Sequence, residues 1–433
     1  MVLAAAPAPP LPAHSLLVLL TQCGVLLGLA VMLGRLAVRV RLPAVAGELC
    51  AGVLLGPSVL AHVAPPVERW LFPADPNQIH LLDAVGQLGV LLLVGLTGIA
   101  IDLAMVRRRS AVSAAVSLGG LVIPLGAGVG LGFLLPADLA GPRANPAVFA
   151  LFLGVAMCVS AIPVIAKILT ELRMLHRDIG QLILSAAMVD DVIGWVLLSL
   201  VSAMATVGAR TLDLGYSLLA VGIVIAVAAV LVRPLSRRLP RLDSVNGEGK
   251  VTAVVVMLIL IAAAGTQSLG LEAVFGAFVC GIAIGSGKPD VSRGLRPLRT
   301  AVMWVFAPLF FATAGLRMDL TRLVDPVVLA IACATVVVAV AGKFIGAYAG
   351  ARLGKLNRWE AFALGSGLNT RGVIQVIVAA TGLRLGVLST DMYTIIVLVA
   401  VVTSVMAAPC LHLAMRHLEV TEQERAREKR LAH

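Results

Sequence analysis

Two adjacent carboxylates, Asp190 and Asp191, stand in the run AAMVDDVIGW at residues 186–195, with apolar sequence on both sides. A charge at the centre of a bilayer costs about 2.5–3.5 kcal/mol on insertion scales. A chain that accepts this twice in succession uses the acids for chemistry. Consecutive side chains on a helix point about 100° apart, so the two carboxyls cannot share one partner. One is expected to meet a fixed counter-charge and the other a water-filled cavity. The counter-charge expected is Lys343, in VAVAGKFIGAYAGARLG. It lies well inside its apolar run, because Arg352 further along is the better edge marker. A buried Asp190–Lys343 pair leaves Asp191 as the working carboxyl. Burial disfavours a carboxylate's charge and a nearby cation favours it, so a site balanced between the two exchanges protons near neutral pH. Deprotonated, Asp191 holds a monovalent cation; protonated, it cannot. That competition couples the two movements. Hard cations suit oxygen ligands, and backbone carbonyls freed at a helix break are expected to add to the set.

Two such breaks are expected. CVSAIPVIAKIL contains Pro163, which removes a backbone hydrogen bond. GSGLNTRGVIQ surrounds Asn369, Thr370 and Arg371 with Gly365, Gly367 and Gly372. Interrupted helices at matching places in two halves of a transporter mark a mid-membrane binding site. Arg371 cannot shed its charge, and it is read as supporting the site by neutralising freed carbonyls or pairing with an acid. Lys167, one turn after Pro163, reads equally as a half-helix cap or as a side chain reaching the interface. Glu48 in GELCAGVLLGPS and Glu272 in GLEAVFGAFVCG are read as structural, and Asp83 as interfacial. Only His412 comes near membrane depth, so no histidine relay is expected.

The elements that carry these residues are apolar spans. Of 433 residues, 60% are hydrophobic and 13% charged, with a mean hydropathy of +1.01. Soluble domains run near 45–50% apolar, so the chain is an integral membrane protein. A spanning helix needs about 20 apolar residues. Spans are predicted at 15–38, 43–61, 81–101, 110–135, 147–170, 178–203, 214–233, 250–268, 271–287, 300–317, 324–349, 357–381 and 390–415. With the N-terminus outside, basic residues alternate as the positive-inside rule requires. Arg35, Arg39 and Arg41, then Arg107 to Arg109, then Arg173 and Arg177, fall inside. So do Arg233, Arg237, Arg238, Arg241 and Lys250, then Lys288, Arg293, Arg296 and Arg299, then Arg352, Lys355 and Arg358. Arg416, Arg425, Arg427, Lys429 and Arg430 of the 416–433 tail complete the inner face. The outer loops hold only Arg69, Arg143, Arg210, Arg317, Arg322 and Arg384. The net charge of +11 is therefore a cytoplasmic face, and no nucleic-acid partner is expected. MVLAAAPAPPLPAHS has no Lys or Arg before the first apolar run, so residues 1–14 are expected outside and span 1 retained. The six cysteines form no CxxC pair and read as small packing residues, with no disulfide framework and no zinc site. GAGVGLG in span 4 follows no strand, so it reads as close helix packing. No cofactor is expected.

Thirteen spans divide as six, one and six, and the two sixes enter from opposite sides. The fold class expected is an all-α membrane protein of two inverted six-helix repeats plus a linker helix at 214–233, with crossing broken helices.

GELCAGVLLGPSVL (47–60), SAIPVIAKILTELRML (160–175), SAAMVDDVIGW (185–195), VFGAFVCGIAI (274–284), PLFFATAGLRMDL (308–320), GKFIGAYAG (342–350) and GLNTRGVIQVIVA (367–379) stand in family order along nearly the whole chain. They resemble the monovalent cation:proton antiporter superfamily, in particular its second large branch of bacterial sodium/proton antiporters and plant cation/proton exchangers. The resemblance implies a homodimer in the plasma membrane. It implies a core of spans 4–6 and 11–13 (110–203 and 324–415) moving like an elevator against a dimerisation domain of spans 1–3 and 8–10 (15–101 and 250–317). It puts the ion-binding acid at Asp191, its lysine-paired neighbour at Asp190, the core lysine at Lys343, and the crossing interruptions at Ser160 to Pro163, including Ile162, and at Asn369 to Arg371. It implies electrogenic exchange, with protons, Na⁺, K⁺ or Li⁺, and membrane lipids as partners. The chain departs from many relatives in carrying Glu272 in place of a histidine, and Val373, Ile374 and Gln375 where an acid follows the Arg-Gly. No nucleotide-binding domain follows the last span.

Three rivals are weaker. An intramembrane aspartyl protease needs two acids that share a proton from two helices, which adjacent residues cannot supply. A sodium-coupled organic solute symporter shares broken helices but has no need of the Asp-Asp and lysine set. A passive channel does not need a single site that must empty before it refills.

Overall fold

Apolar runs cross a bilayer as helices because a helix satisfies its own backbone N–H and C=O groups. The computed structural model describes residues 11–40, 42–73, 75–101, 110–172, 174, 177–207, 211–228, 230, 234, 248–285, 294–418 and 424. The expected inner-face residues Arg41, Arg107 to Arg109, Arg173, Arg233, Arg237, Arg238, Arg241, Lys288, Arg293, Arg425, Arg427, Lys429 and Arg430, and the outer Arg210, lie outside the described residues.

The protein is an all-helical membrane protein; among the described residues the only β feature is one isolated bridge between Ala140 and Leu388. The helices are α1 (Ala13–Arg39), α2 (Ala44–Leu55), α3 (Pro76–Ala100), α4 (Ser110–Leu134), α5 (Pro146–Cys158), α6 (Ile162–Glu171), α7 (Asp178–Val207) and α8 (Thr211–Val227). They continue as α9 (Glu248–Ser268), α10 (Ala273–Gly285), α11 (Arg296–Leu316), α12 (Pro326–Leu353), α13 (Arg358–Leu368), α14 (Val373–Arg384) and α15 (Thr390–Met415). With α5–α6 and α13–α14 each taken as one interrupted crossing, these are the thirteen spans in the expected order.

Local chemistry sets several starts. Asp75, Asn145 and Asp325 each accept from the backbone N–H two residues on, with proline next in sequence at α3, α5 and α12. Asn357 and Glu360 form a capping box at α13. The Asp75 cap explains why α3 begins five residues before the predicted 81.

Three spans differ from expectation. The predicted span 43–61 is not one helix: α2 ends at Leu55, Gly56 is extended, and Leu60–Val63 makes one further turn. Pro57 has no N–H to continue the ladder. In α11, residues 302–306 form a wide turn in which the Ala307 N–H bonds Val302 O. Pro308 withholds the bond to residue 304, and the turn before it widens. The break in span 5 falls at residues 159–161, ahead of Pro163. Pro163 is the second residue of α6, where its missing N–H costs nothing.

Packing sorts the helices into two groups. In one, α1 packs on α2, α2 on α11, and α3 on both α10 and α11, with α9 on α10. In the other, α4 lies between α5 and α12, α7 packs on α4, α5 and α13, and α15 covers α13 and α14. Contact between the groups is sparser and runs chiefly through α7 with α10 and α14 with α11. Each group has helices pressed backbone to backbone. A Cβ on Gly52 would lie 1.9 Å from Ala312 O and one on Gly315 2.1 Å from Leu49 O, joining α2 to α11. A Cβ on Gly346 would lie 2.2 Å from Gly119 O, joining α4 to α12. In GAGVGLG, Gly128 and Gly132 meet α5 closely, whereas Gly126 and Gly130 face open space.

Candidate functional site

The site forms where the two interruptions meet. Three residues, 159–161, separate α5 from α6, and four, 369–372, separate α13 from α14. A helix end leaves backbone groups without partners, and here each break supplies partners to the other. The Ala161 N–H donates to Thr370 O at 3.2 Å. The Ser160 hydroxyl is 2.9 Å from Leu368 O and 3.0 Å from Asp190 Oδ2, and its single proton serves one acceptor at a time. Ile162 heads the second half-helix, α6.

Asp190 lies midway along α7, fully buried, with Lys343 Nζ of α12 at 2.5 Å from its Oδ2. The same ammonium donates to Cys158 O, the last carbonyl of α5, at 2.6 Å. Lys343 is likewise fully buried, so this is a true interior pair. Such pairs are costly to desolvate and depend on added hydrogen bonds; Ser160 and Cys158 O supply them.

Asp191 differs. It is fully buried, and among the described residues neither carboxylate oxygen has a hydrogen-bond partner. The amide of Ile162 at the head of α6 lies within its electrostatic reach. A helix N-terminus carries partial positive charge, and with Lys343 it favours this carboxyl's charge. The sequence expectation placed Asp191 on a water-filled cavity; in this structure the protein encloses it completely.

Arg371 is also fully buried. Its guanidinium donates to Ala156 O of α5 at 3.0 Å and to Ala339 O of α12 at 2.8 Å. Its own carbonyl accepts from the Ser404 hydroxyl of α15. Of the two groups expected to meet it, freed carbonyls and an acid, the guanidinium meets carbonyls: one in the last turn of α5 and one inside α12. This bears on the expected ligand set. The carbonyls of Ala156 and Cys158, at the end of α5, already accept from Arg371 and Lys343. Oxygens that do lack partners are Thr370 Oγ1 and Asn369 Oδ1, both buried on the second break. The Asn369 amide faces Val340 O at 3.5 Å.

Other expected residues lie elsewhere. Glu272, at the start of α10, pairs with Arg384 at 2.6 Å. Asp83 pairs with Arg317, both about one-third exposed. Glu48 sits on α2 against Gly34 of α1. His412 is exposed. The side chains of Pro163 and Lys167 lie outside what is described. Sequence reasoning missed Ser404 and the carbonyls of Cys158, Ala156 and Ala339. Carbonyls leave no trace in residue type, although an interior arginine with no acid assigned to it demands acceptors. Among the described residues, no three His, Cys, Asp or Glu side chains gather as a metal site. What the site offers is one carboxyl without a hydrogen-bond partner among the described residues, beside one paired with lysine.

Known proteins share this chain's pattern. The family described as "Sodium/hydrogen exchanger, transmembrane" matches residues 26–416. The Na⁺/H⁺ antiporter NhaS4 of Synechocystis is 32% identical over 409 residues, covering 92% of this chain and 97% of that one. Cation/H⁺ antiporter 17 of Arabidopsis thaliana is 30% identical over 400 residues, covering 92% of this chain; the chain spans 48% of its length. The structure of the sodium proton antiporter MjNhaP1 from Methanocaldococcus jannaschii at pH 8 superposes with a TM-score of 0.70, covering 93% of this chain and 99% of that one. At 13% identity that likeness is one of fold.

Proposed function

The chain belongs to the sodium/hydrogen exchanger family, and we propose that it exchanges a monovalent cation for protons at Asp191. The observation that carries this reading is a fully buried carboxyl without a partner, next to a carboxylate already neutralised by Lys343. An uncompensated charge in a protein interior costs several kcal/mol. In this closed state Asp191 therefore holds a proton or a cation, and each must leave before the other binds. Asp190, tied to Lys343 and Ser160, keeps the second negative charge out of that competition. Arg371 fixes α5 and α12 against the second break. The cation is Na⁺, K⁺ or Li⁺, held by oxygen, with Thr370 and Asn369 offering oxygens on the crossing segment.

The α4–α7 and α12–α15 group is the moving core, and the α1–α3 and α9–α11 group is the frame through which two copies of the chain dimerise. The two halves are inverted repeats with α8 as linker, and each carries its interruption in the fifth crossing. Sparse contact between the groups supports an elevator-type movement that turns Asp191 from one face to the other. The N-terminus lies outside the plasma membrane and the tail in the cytoplasm. Electrogenic exchange needs a second proton carrier, and the Lys343–Asp190 pair is where the site holds one.

Proteoliposomes with an acid interior and a pH-sensitive dye test the reading. Na⁺, Li⁺ and K⁺ added outside in turn are expected to alkalinise the lumen, and the responding ion names the cargo. No response to any of the three overturns the exchanger and favours a sodium-coupled symporter of an organic solute.

A further inference from the structure

The face of α7 that carries Asp191 does not end there. Trp195, Ser199 and Ser202 follow it at helical spacing, and each is at most 2% exposed. Among the described residues, the Trp195 indole N–H and both serine hydroxyls have no hydrogen-bond partner. Buried polar groups are nearly always satisfied, and each exception calls for a reason. Serine in a helix usually bonds the carbonyl one turn back. Ser185 on the same helix does so with Gln181 O at 2.8 Å, and Thr206 with Ser202 O at 3.2 Å. Ser199 and Ser202 do not. With Thr206, these residues fall within an arc of about 80° and rise about 22 Å from Asp191 to the end of the helix. Thr206 is exposed. The lipid-side residues Ile193, Leu197, Leu200 and Met204 occupy the opposite arc and are all partly or fully exposed.

The polar arc lies at the boundary between the two helix groups. The Trp195 ring meets the Phe278 ring of α10 with centroids 5.7 Å apart and planes tilted by 42°. That contact sits one turn beyond Asp191, on the stretch of α7 between the carboxyl and Thr206. A hydroxyl row dry on every side has no use in a core. A row that meets water and a passing cation when α7 shifts against α10 has one.

We propose that Trp195, Ser199, Ser202 and Thr206 line the route by which the cation and protons pass between Asp191 and the outer face, and that the Trp195–Phe278 contact closes it. The route rests on the exchanger reading above, with the outer end of α7 as assigned there. Its ligands are water and a partly hydrated monovalent cation, held by hydroxyls and the indole face.

Single cysteines at Ser199, Ser202 and the lipid-side Leu200 test it in the full chain in proteoliposomes. The wild type serves as blank for its six native cysteines. A membrane-impermeant cationic methanethiosulfonate is added from the outer side. Because only a hydrated thiolate reacts, Ser199→Cys and Ser202→Cys are expected to label at least about 10-fold faster than Leu200→Cys. Equal rates at all three positions overturn the route. A second reading uses Ser199→Ala with Ser202→Ala. Unpartnered hydroxyls add nothing to a dry core, so thermal melting is expected to hold while exchange slows several-fold. Unchanged exchange in that variant also overturns the route. Labelling reads water access whatever the cargo. Fast labelling without wild-type exchange therefore sinks the exchanger and keeps the route, and exchange without selective labelling does the reverse.

Discussion

The two helix groups have the same number of crossings and a similar glycine device, yet they bury different things. Gly52 and Gly315 lock α2 to α11, and Gly119 and Gly346 lock α4 to α12. In the α1–α3 and α9–α11 group, Asp83 pairs with Arg317 at the end of α11, and Glu272 pairs with Arg384 at the end of α14 in the other group. In the other, Asp190, Asp191 and Lys343 sit fully buried at mid-helix, and Arg371 sits fully buried in the break between α13 and α14. Backbone-tight packing is thus common to both, and what separates them is where charge is allowed. The second group buries four ionisable groups and covers all but one with hydrogen bonds. The one left over is where exchange can occur.

Removing that leftover should have the largest effect. Asp191→Asn is expected to lose exchange down to the liposome leak while melting as the wild type does, because a carboxamide neither takes a proton nor balances a cation. Exchange above leak would erase the distinction between the groups. Breaking the covered pair comes next. Lys343→Ala leaves a buried carboxylate alone and is expected to cost about 3–5 kcal/mol in detergent melts. The Asp190→Ala, Lys343→Ala double variant should lose less than the sum of the two singles; additive losses would mean that the two do not interact. Gly52→Ala pushes a methyl into Ala312 O and is expected to cost about 1–3 kcal/mol. It should lower the yield of folded protein without moving the apparent cation affinity; a shifted affinity would mean that the frame shapes the site. Arg384→Gln should matter least. Its guanidinium side is 40% exposed, so the melt is expected to shift by less than about 1 kcal/mol.

Much of this contrast was legible in the residues. Asp190, Asp191 and Lys343 stand out because each is expensive where it lies, and cost in an apolar run is readable one letter at a time. The two interruptions were legible as pattern, since Pro163 and the Gly-Asn-Thr-Arg-Gly cluster mark them. Their positions were less so: proline marks where a helix can start as well as where it stops, and the chain parts three residues earlier. The bend in α11 hid for a similar reason, because Pro308 acts on the turn before it. Arg371 declared its charge but not its partners, which are main-chain oxygens on α5 and α12. Ser199 and Ser202 read as ordinary small residues until their distance from Asp191 is counted in turns, a signal that was present and needed only the helix to give it direction.

The pairing of Lys343 with Asp190 also sets a timetable for making the protein. The two are 153 residues apart. At about 5–20 residues per second, the ribosome takes roughly 8–30 s to reach the lysine after the aspartate has left it. Arg371 meets no such delay, since Ala156 and Ala339 both precede it. The acids of α7 are thus born before their cation. For that interval α7 has to wait at the insertion machinery or enter the bilayer with Asp190 protonated. A ribosome stalled between residues 203 and 343 would leave a helix that holds poorly in lipid, which makes α12 the segment on whose arrival the first half of the molecule becomes permanent.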